Sequence, residues 1–214
     1  MTTVSIVYFS GTGHTSKLAE AVARGAESNG VRVNLLPIKA EDLAAGRYSN
    51  EAALTELDAS DAIIFGSPTY MGGPAAQFKA FADATGERWY GRKWANKLAG
   101  GFTVSGGPSG DKLYTLQSFL TLAMQHGMIW VGLDELPTVS GVNRLSSYIG
   151  AMAQASQEPP EAAPNEADKL TGESLGRRVA TAVKRWNSAR EVEAGLDELP
   201  PGVEASAETA THRG

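Results

Sequence analysis

Five short apolar runs, Val4–Phe9, Val31–Leu36, Ala62–Gly66, Leu98–Val104 and Met128–Leu133, alternate with segments of helical periodicity. Such alternation specifies a parallel sheet, because consecutive parallel strands need a crossover and a helix is the usual one. Helices are expected over 14–29, 74–84 and 113–126, with a short one behind an irregular stretch in the segment 41–59 and a last one over 174–187. Leu18, Ala21, Val22 and Gly25 fall at helical spacing in the first; Leu175, Val179, Val183 and Trp186 form a stripe in the last. The unbroken Ala62-Ile63-Ile64-Phe65 suits a strand covered on both faces. Right-handed crossovers then give an α/β, three-layer, doubly wound sheet of five parallel strands in the order 2-1-3-4-5. Ligands of such sheets lie beyond the carboxyl ends of the strands, where strand order reverses. The loops after the first, third and fourth strands meet there.

The first of these loops reads Ser10-Gly11-Thr12-Gly13-His14-Thr15-Ser16. Gly11 and Gly13 permit a tight turn, the hydroxyls of Ser10, Thr12 and Thr15 add donors, and a helix N-terminus attracts negative charge. His14 counts here as a backbone donor. The loop has no lysine, which excludes the G-x-x-x-x-G-K-[ST] triphosphate cradle. Ser16 stands at the third glycine of G-x-G-x-x-G, and the end of the next strand, Leu36-Pro37-Ile38-Lys39, offers no acid for a ribose. A hydroxyl-rich turn without a cation fits a terminal monophosphate. A serine-capped turn that binds nothing is the plain alternative.

This turn resembles the S/T-x-T-G-x-T loop of the flavodoxin superfamily, which implies a flavodoxin-like fold and a 5′-phosphate of FMN held by residues 10–15. The next loop, Gly66-Ser67-Pro68-Thr69-Tyr70-Met71-Gly72-Gly73-Pro74, resembles the G-[ST]-P-T-[RY]-x-G motif of the NAD(P)H:quinone oxidoreductases grouped with the tryptophan-repressor-binding protein (WrbA-like). That resemblance implies that Pro68, Thr69, Tyr70, Met71 and Gly72 wrap one edge of the flavin ring. For Tyr70 a surface aromatic with no ligand stays open. The loop after the fourth strand reads Ser105-Gly106-Gly107-Pro108-Ser109-Gly110-Asp111-Lys112. By the same resemblance Ser105, Gly106, Gly107, Ser109 and Gly110 cover the pyrimidine side and ribityl chain. Pro108 departs from the family's S-[ST]-G-[ST]-G-G and removes one N–H donor. Asp111 is read as a helix cap.

The ending Leu122-Ala123-Met124-Gln125-His126-Gly127-Met128 resembles the family's L-x-x-H-G-M, which implies a catalytic His126 donating a proton to the acceptor. A cation stabilising a helix C-terminus is the other reading. Trp89, in Gly86–Trp94, matches a family tryptophan that walls the substrate cleft from an adjacent subunit, whereas Trp94 reads as a lid over the core. Arg88 and Arg92 are candidate contacts for a 2′-phosphate. Ser147-Tyr148-Ile149-Gly150-Ala151 resembles the family's S-P-Y-G-A without its proline.

The resemblance spans residues 4–187. It implies an FMN-dependent oxidoreductase that passes hydride from NAD(P)H through flavin N5 to a quinone or similar acceptor, acting as a homo-oligomer (dimer or tetramer). The alternatives are a flavodoxin-type electron carrier without direct NAD(P)H oxidation, an NADPH-dependent FMN reductase, and a flavin-free interaction module. Composition narrows the field independently. The absence of cysteine excludes disulfides, thiolate catalysis and iron–sulfur clusters, and His14, His126 and His212 show no metal-ligand spacing. A formal charge of −5 argues against nucleic acid or a membrane surface as main partner. No basic stretch with an apolar signal core opens the chain, so a cytoplasmic protein is expected. The domain is placed at 1–187, with an acidic, proline-rich linker over 157–169 and a disordered tail over 188–214.

Overall fold

Strand β1 (Thr3–Phe9) lies at the heart of the sheet, paired in parallel with β2 (Arg32–Ile38) on one side and β3 (Ala62–Tyr70) on the other. Strand β4 (Leu98–Ser105) pairs with the outer side of β3, so the order β2-β1-β3-β4 follows the expectation. This computed structural model describes residues 1–137 and 141–197, the stretch 191–197 by backbone alone.

The fifth position departs from the single strand expected over 128–133. Two short strands share the edge of β4: β5 (Ile129–Trp130) pairs with Leu98 and Ala99, and β6 (Ala151–Gln154) pairs with Phe102 to Ser105. The chain leaves the edge after Trp130 and returns twenty residues later. Gly101 explains the split, because a methyl group there would stand 2.9 Å from the Trp130 ring. Gly150 re-enters so close to the Gly101 carbonyl that any side chain would collide with it.

Alternation along each strand builds two cores. Val4 and Ile6 face one layer, where α1 (His14–Glu27) and α6 (Glu166–Asp197) pack through the fully buried Leu18, Val22, Leu175, Val179 and Val183. Gly25 and Gly176 let these helices touch backbone to backbone, since a Cβ at either would strike the carbonyl of Glu173 or Val22. Val7, Ile63 and Phe65 face the other layer, formed by α2 (Glu51–Asp58), α3 (Ala76–Ala84), α4 (Gly86–Tyr90) and α5 (Lys112–Gln125). Phe65, Phe78 and Phe119 meet there, with the Phe78 and Phe119 ring centroids 4.6 Å apart.

The short helix of the segment 41–59 begins at Glu51, where Asn50 Oδ1 accepts from Ala53 N at 3.0 Å. Ahead of it stand a 3₁₀ turn (Ala40–Asp42) and a small hairpin, Leu43–Ala44 with Arg47–Tyr48. Helix α6 starts at Glu166 rather than 174, inside the expected linker, because Asn165 Oδ1 accepts from Asp168 N at 3.0 Å. It also runs on through 188–197, which were expected to be disordered. Residues 138–140 and 198–214, including His212, lie outside the described residues. No described helix is long and apolar enough to cross a membrane.

Candidate functional site

The three glycine-rich loops converge at the carboxyl end of the sheet. In the first, Ser10 Oγ accepts from the N–H groups of Gly13 at 3.1 Å and Ser16 at 3.2 Å, pulling the turn into a cup. Gly13 caps α1 with φ 92°, a left-handed conformation that favours glycine, and a methyl group there would lie 2.7 Å from Pro160 Cγ. Among the described residues no hydrogen bond engages the N–H groups of Gly11, Thr12, His14 or Thr15, nor the Thr15 hydroxyl. These donors stand at a helix N-terminus, where they are oriented toward an anion. Thr12 Oγ1 lies 2.9 Å from His14 Nδ1, and His14 Nε2 donates to Glu158 O at 2.7 Å. That carbonyl can only accept, so Nε2 carries a proton.

The second loop is a hairpin. Thr69 pairs with Pro74 and Tyr70 with Gly73, and the two turn residues, Met71 (φ 48°) and Gly72 (φ 83°), both take positive φ. Such a turn matches the twist of paired strands and throws Met71 wholly into solvent. Ser67 Oγ closes its base, donating to Pro68 O at 2.8 Å and accepting from Ala75 N at 2.9 Å. Tyr70 reaches back over the first loop, so that a side chain at Gly11 would collide with its hydroxyl oxygen. Thr69 turns inward, its hydroxyl 2.8 Å from that of Thr103 and 2.7 Å from that of Thr115. Its side chain therefore braces β3 against β4 and α5, leaving only its backbone for a ligand.

In the third loop Ser105 Oγ donates to Gly107 O at 3.2 Å, and Gly110 (φ 54°) folds so tightly over Ser105 that a Cβ would strike its hydroxyl. Gly106, Pro108, Ser109 and Gly110 are exposed along the crevice. Asp111 occupies the cap position of α5 with φ 52° but makes no side-chain cap bond, which corrects the capping role expected for it. The next residue supplies what the sequence reading passed over. Lys112 is fully buried, and its Nζ donates to Gly107 O at 2.6 Å and Ser105 Oγ at 2.8 Å. Burial pushes its ammonium down to about 8, against the attraction of Asp168.

A fourth segment joins the site. Residues 157–160 were read as the start of a solvated linker, yet Glu158 O binds His14 and Pro160 packs on Gly13. A network centred on the buried Asp168 holds this region. Arg144 Nε and Nη2 both reach the Asp168 carboxylate at 2.8 Å, Gln154 N donates to it at 2.9 Å, and Gln154 Nε2 donates to Gly106 O at 3.1 Å. Acidic spacing alone gave no sign that Asp168 points inward.

Four expected contact residues, His126, Trp89, Arg88 and Arg92, are not brought to the crevice of their own chain. His126 follows α5, whose fourteen residues carry the chain about 21 Å from the third loop. Gly127 O there accepts from Asn96 N at 2.9 Å, just ahead of β4 and thus at the amino end of the sheet. The imidazole is 2% exposed, lies 4.5 Å from the Trp94 ring, and is pushed by burial, with help from Arg92, down to about 4. The ring is enclosed and stands away from the crevice of its own chain. A helix-end cation does not survive that burial. Trp89, half-exposed on α4, also stands at that far end. Arg88 is buried against Glu51 and Asp58 and Arg92 packs on Gly127, so neither is placed to receive a 2′-phosphate. Trp94 is a core lid, its Nε1 donating to Asp58 Oδ1 at 2.7 Å.

Several known proteins are similar to this chain. Residues 4–142 match the family described as NADPH-dependent FMN reductase. Over 186 residues the chain is 39% identical to the flavodoxin FldP of Pseudomonas aeruginosa, covering 84% of this chain and 96% of that one. Over 199 residues it is 35% identical to an NAD(P)H dehydrogenase (quinone) of Archaeoglobus fulgidus, covering 86% and 99%. Among solved structures, a flavodoxin, WrbA-like protein from Agrobacterium tumefaciens is 43% identical with a TM-score of 0.68, covering 86% of this chain and 99% of that one.

Proposed function

This chain belongs to the NADPH-dependent FMN reductase family, and from that premise we propose that it is an FMN-dependent oxidoreductase carrying hydride from NAD(P)H to a quinone. Bound FMN supplies the two-electron chemistry, so that NAD(P)H, a quinone and one proton become NAD(P)⁺ and a quinol. The chain's own residues bind and orient. The unclaimed N–H groups of Gly11, Thr12, His14 and Thr15 and the Thr15 hydroxyl take the phosphate, as dispersed neutral donors at a helix N-terminus suit a dianion. Tyr70 closes over that loop from the second, and the exposed backbone of 106–110 forms the opposite wall. Met71, at the tip of the second loop, is fully exposed to solvent.

The single observation that carries this reading is the cup at Ser10–Thr15, whose free donors at a helix N-terminus suit an anionic group. Titration of the flavin-free protein with FMN, followed by anaerobic mixing with NADPH or NADH and then benzoquinone, tests it. Bleaching by a nicotinamide and recovery on adding quinone is expected. Failure to bind FMN removes the reading. A relative named as a flavodoxin favours an electron carrier as the second reading. A carrier would bind FMN yet stay oxidised with NADPH alone.

Assembly as a homo-oligomer goes with the enzymatic reading. Trp89 and Tyr90 expose 47% and 85% of their surface at the end of the molecule remote from the loops, where only a second copy could bring an aromatic wall to a crevice. Use of NAD(P)H favours a cytoplasmic setting.

A further inference from the structure

Lys112 is the only lysine or arginine in the loops 10–16, 67–74 and 105–112, and it is 0% exposed. A buried ammonium is costly unless an opposite charge or several dipoles replace its water. Arg88, the other buried cation on the same side of the sheet, has Glu51 and Asp58 as partners. Lys112 has one hydroxyl and one carbonyl. The carboxylate that acts on it, Asp168, is already clamped by Arg144 through two bonds of 2.8 Å, and Arg144 itself repels the ammonium. Its charge is therefore left uncompensated by any carboxylate partner among the described residues. That charge sits at the carboxyl end of β4, inside the loop that walls the crevice.

We propose that Lys112 sets the charge preference of the site, its ammonium favouring the bound flavin in the state that carries the extra negative charge of two-electron reduction. This rests on the FMN-dependent reading above. Hydride addition brings two electrons and one proton to a neutral ring, which thereby gains one negative charge. A fixed cation in a wall of low polarity attracts that charge far more than one in water would. The same ammonium shapes the third loop by tying Ser105 to Gly107. The two roles part company in a ratio: loss of shape weakens oxidised and reduced flavin alike, whereas loss of charge weakens the reduced form more.

The test compares FMN-loaded wild type with Lys112→Met, which keeps the stem and removes the charge. The dissociation constant of oxidised FMN and the two-electron midpoint potential together give the reduced-to-oxidised affinity ratio. That ratio is expected to fall at least tenfold, about 30 mV for a two-electron couple. Equal weakening of both forms, with the ratio unchanged, overturns the proposal and leaves Lys112 a strut. Wild type that binds no FMN at all overturns the functional reading instead. If the variant does not fold, anaerobically reduced wild type is titrated with acid while its absorbance is followed. Persistence of the anionic reduced flavin well below the pH at which free reduced FMN gains its proton supports the proposal; protonation at the same pH as free FMN overturns it.

Discussion

His126 Nε2 donates to the Thr85 hydroxyl at 2.9 Å, because that hydroxyl has already given its own proton to Ala82 O at 2.7 Å. Nδ1 is thereby the bare nitrogen, and it is buried without a partner. Protonating it would place a charge between Trp94 and the core, close to Arg92. In the folded chain the ring titrates near 4, whereas an unfolded chain takes up that proton near the ordinary 6.5. Between those values the unfolded state binds more protons, so this contribution is complete above about 6.5 and is lost as pH falls toward 4.

Urea unfolding should therefore show wild type losing up to about 1.4 kcal/mol per pH unit in that window, relative to His126→Phe, which cannot titrate. At neutral pH quinone reduction by the variant, corrected for FMN occupancy, should stay within a fewfold of wild type. A collapse of turnover with unchanged stability would assign an acid–base role to this imidazole.

Thr15 offers a hydroxyl that no described group claims, whereas the Thr12 hydroxyl is held by His14. Thr15→Ala should cost about 1.5–3 kcal/mol of FMN affinity, roughly 10–150-fold in dissociation constant, as expected for one charge-assisted bond. Thr12→Ala should cost less. Fluorescence titration of the two variants side by side checks the order, and a reversed order would move the phosphate toward Thr12.

The two glycines of the same loop should respond differently. Gly13→Ala forces a side chain into φ 92° and against Pro160, and should lower stability by about 1–2 kcal/mol from the backbone alone. Gly11→Ala meets the tip of Tyr70, which can swing outward, so stability should hold while FMN binding weakens. Thermal melts with and without FMN separate the two.

Much of this was legible in the sequence for identifiable reasons. Strand order followed from alternation and crossover handedness, and the first loop from glycines and hydroxyls beside a helix start, all local signals. What escaped depended on tertiary contact. Nothing in Met128–Leu133 announced that a bare Gly101 would let Trp130 and Gly150 divide the sheet edge. His126 read as a titrating helix end because sequence does not show that Trp94 covers it. Lys112, beside Asp111 at a helix start, carries no local sign of burial. Its inward turn is visible only once Ser105 and Gly107 stand around it.

The Arg144–Asp168 pair links the chain excursion 131–150 to the site. Asp168 is 1% exposed and receives Arg144 twice, together with the N–H of Gln154, whose side chain holds Gly106 O. Removing one partner of a buried pair leaves an unpaired charge and costs about 3–5 kcal/mol. Arg144→Met should approach that figure, because the carboxylate it abandons is enclosed. Asp168→Asn should cost less, because the amide retains an oxygen for Gln154 N and leaves a guanidinium that is already partly exposed. Urea unfolding checks both. The third loop should loosen in each, seen as faster amide exchange at Gly106 and Gly107, while the first loop, held by Ser10, keeps its protection.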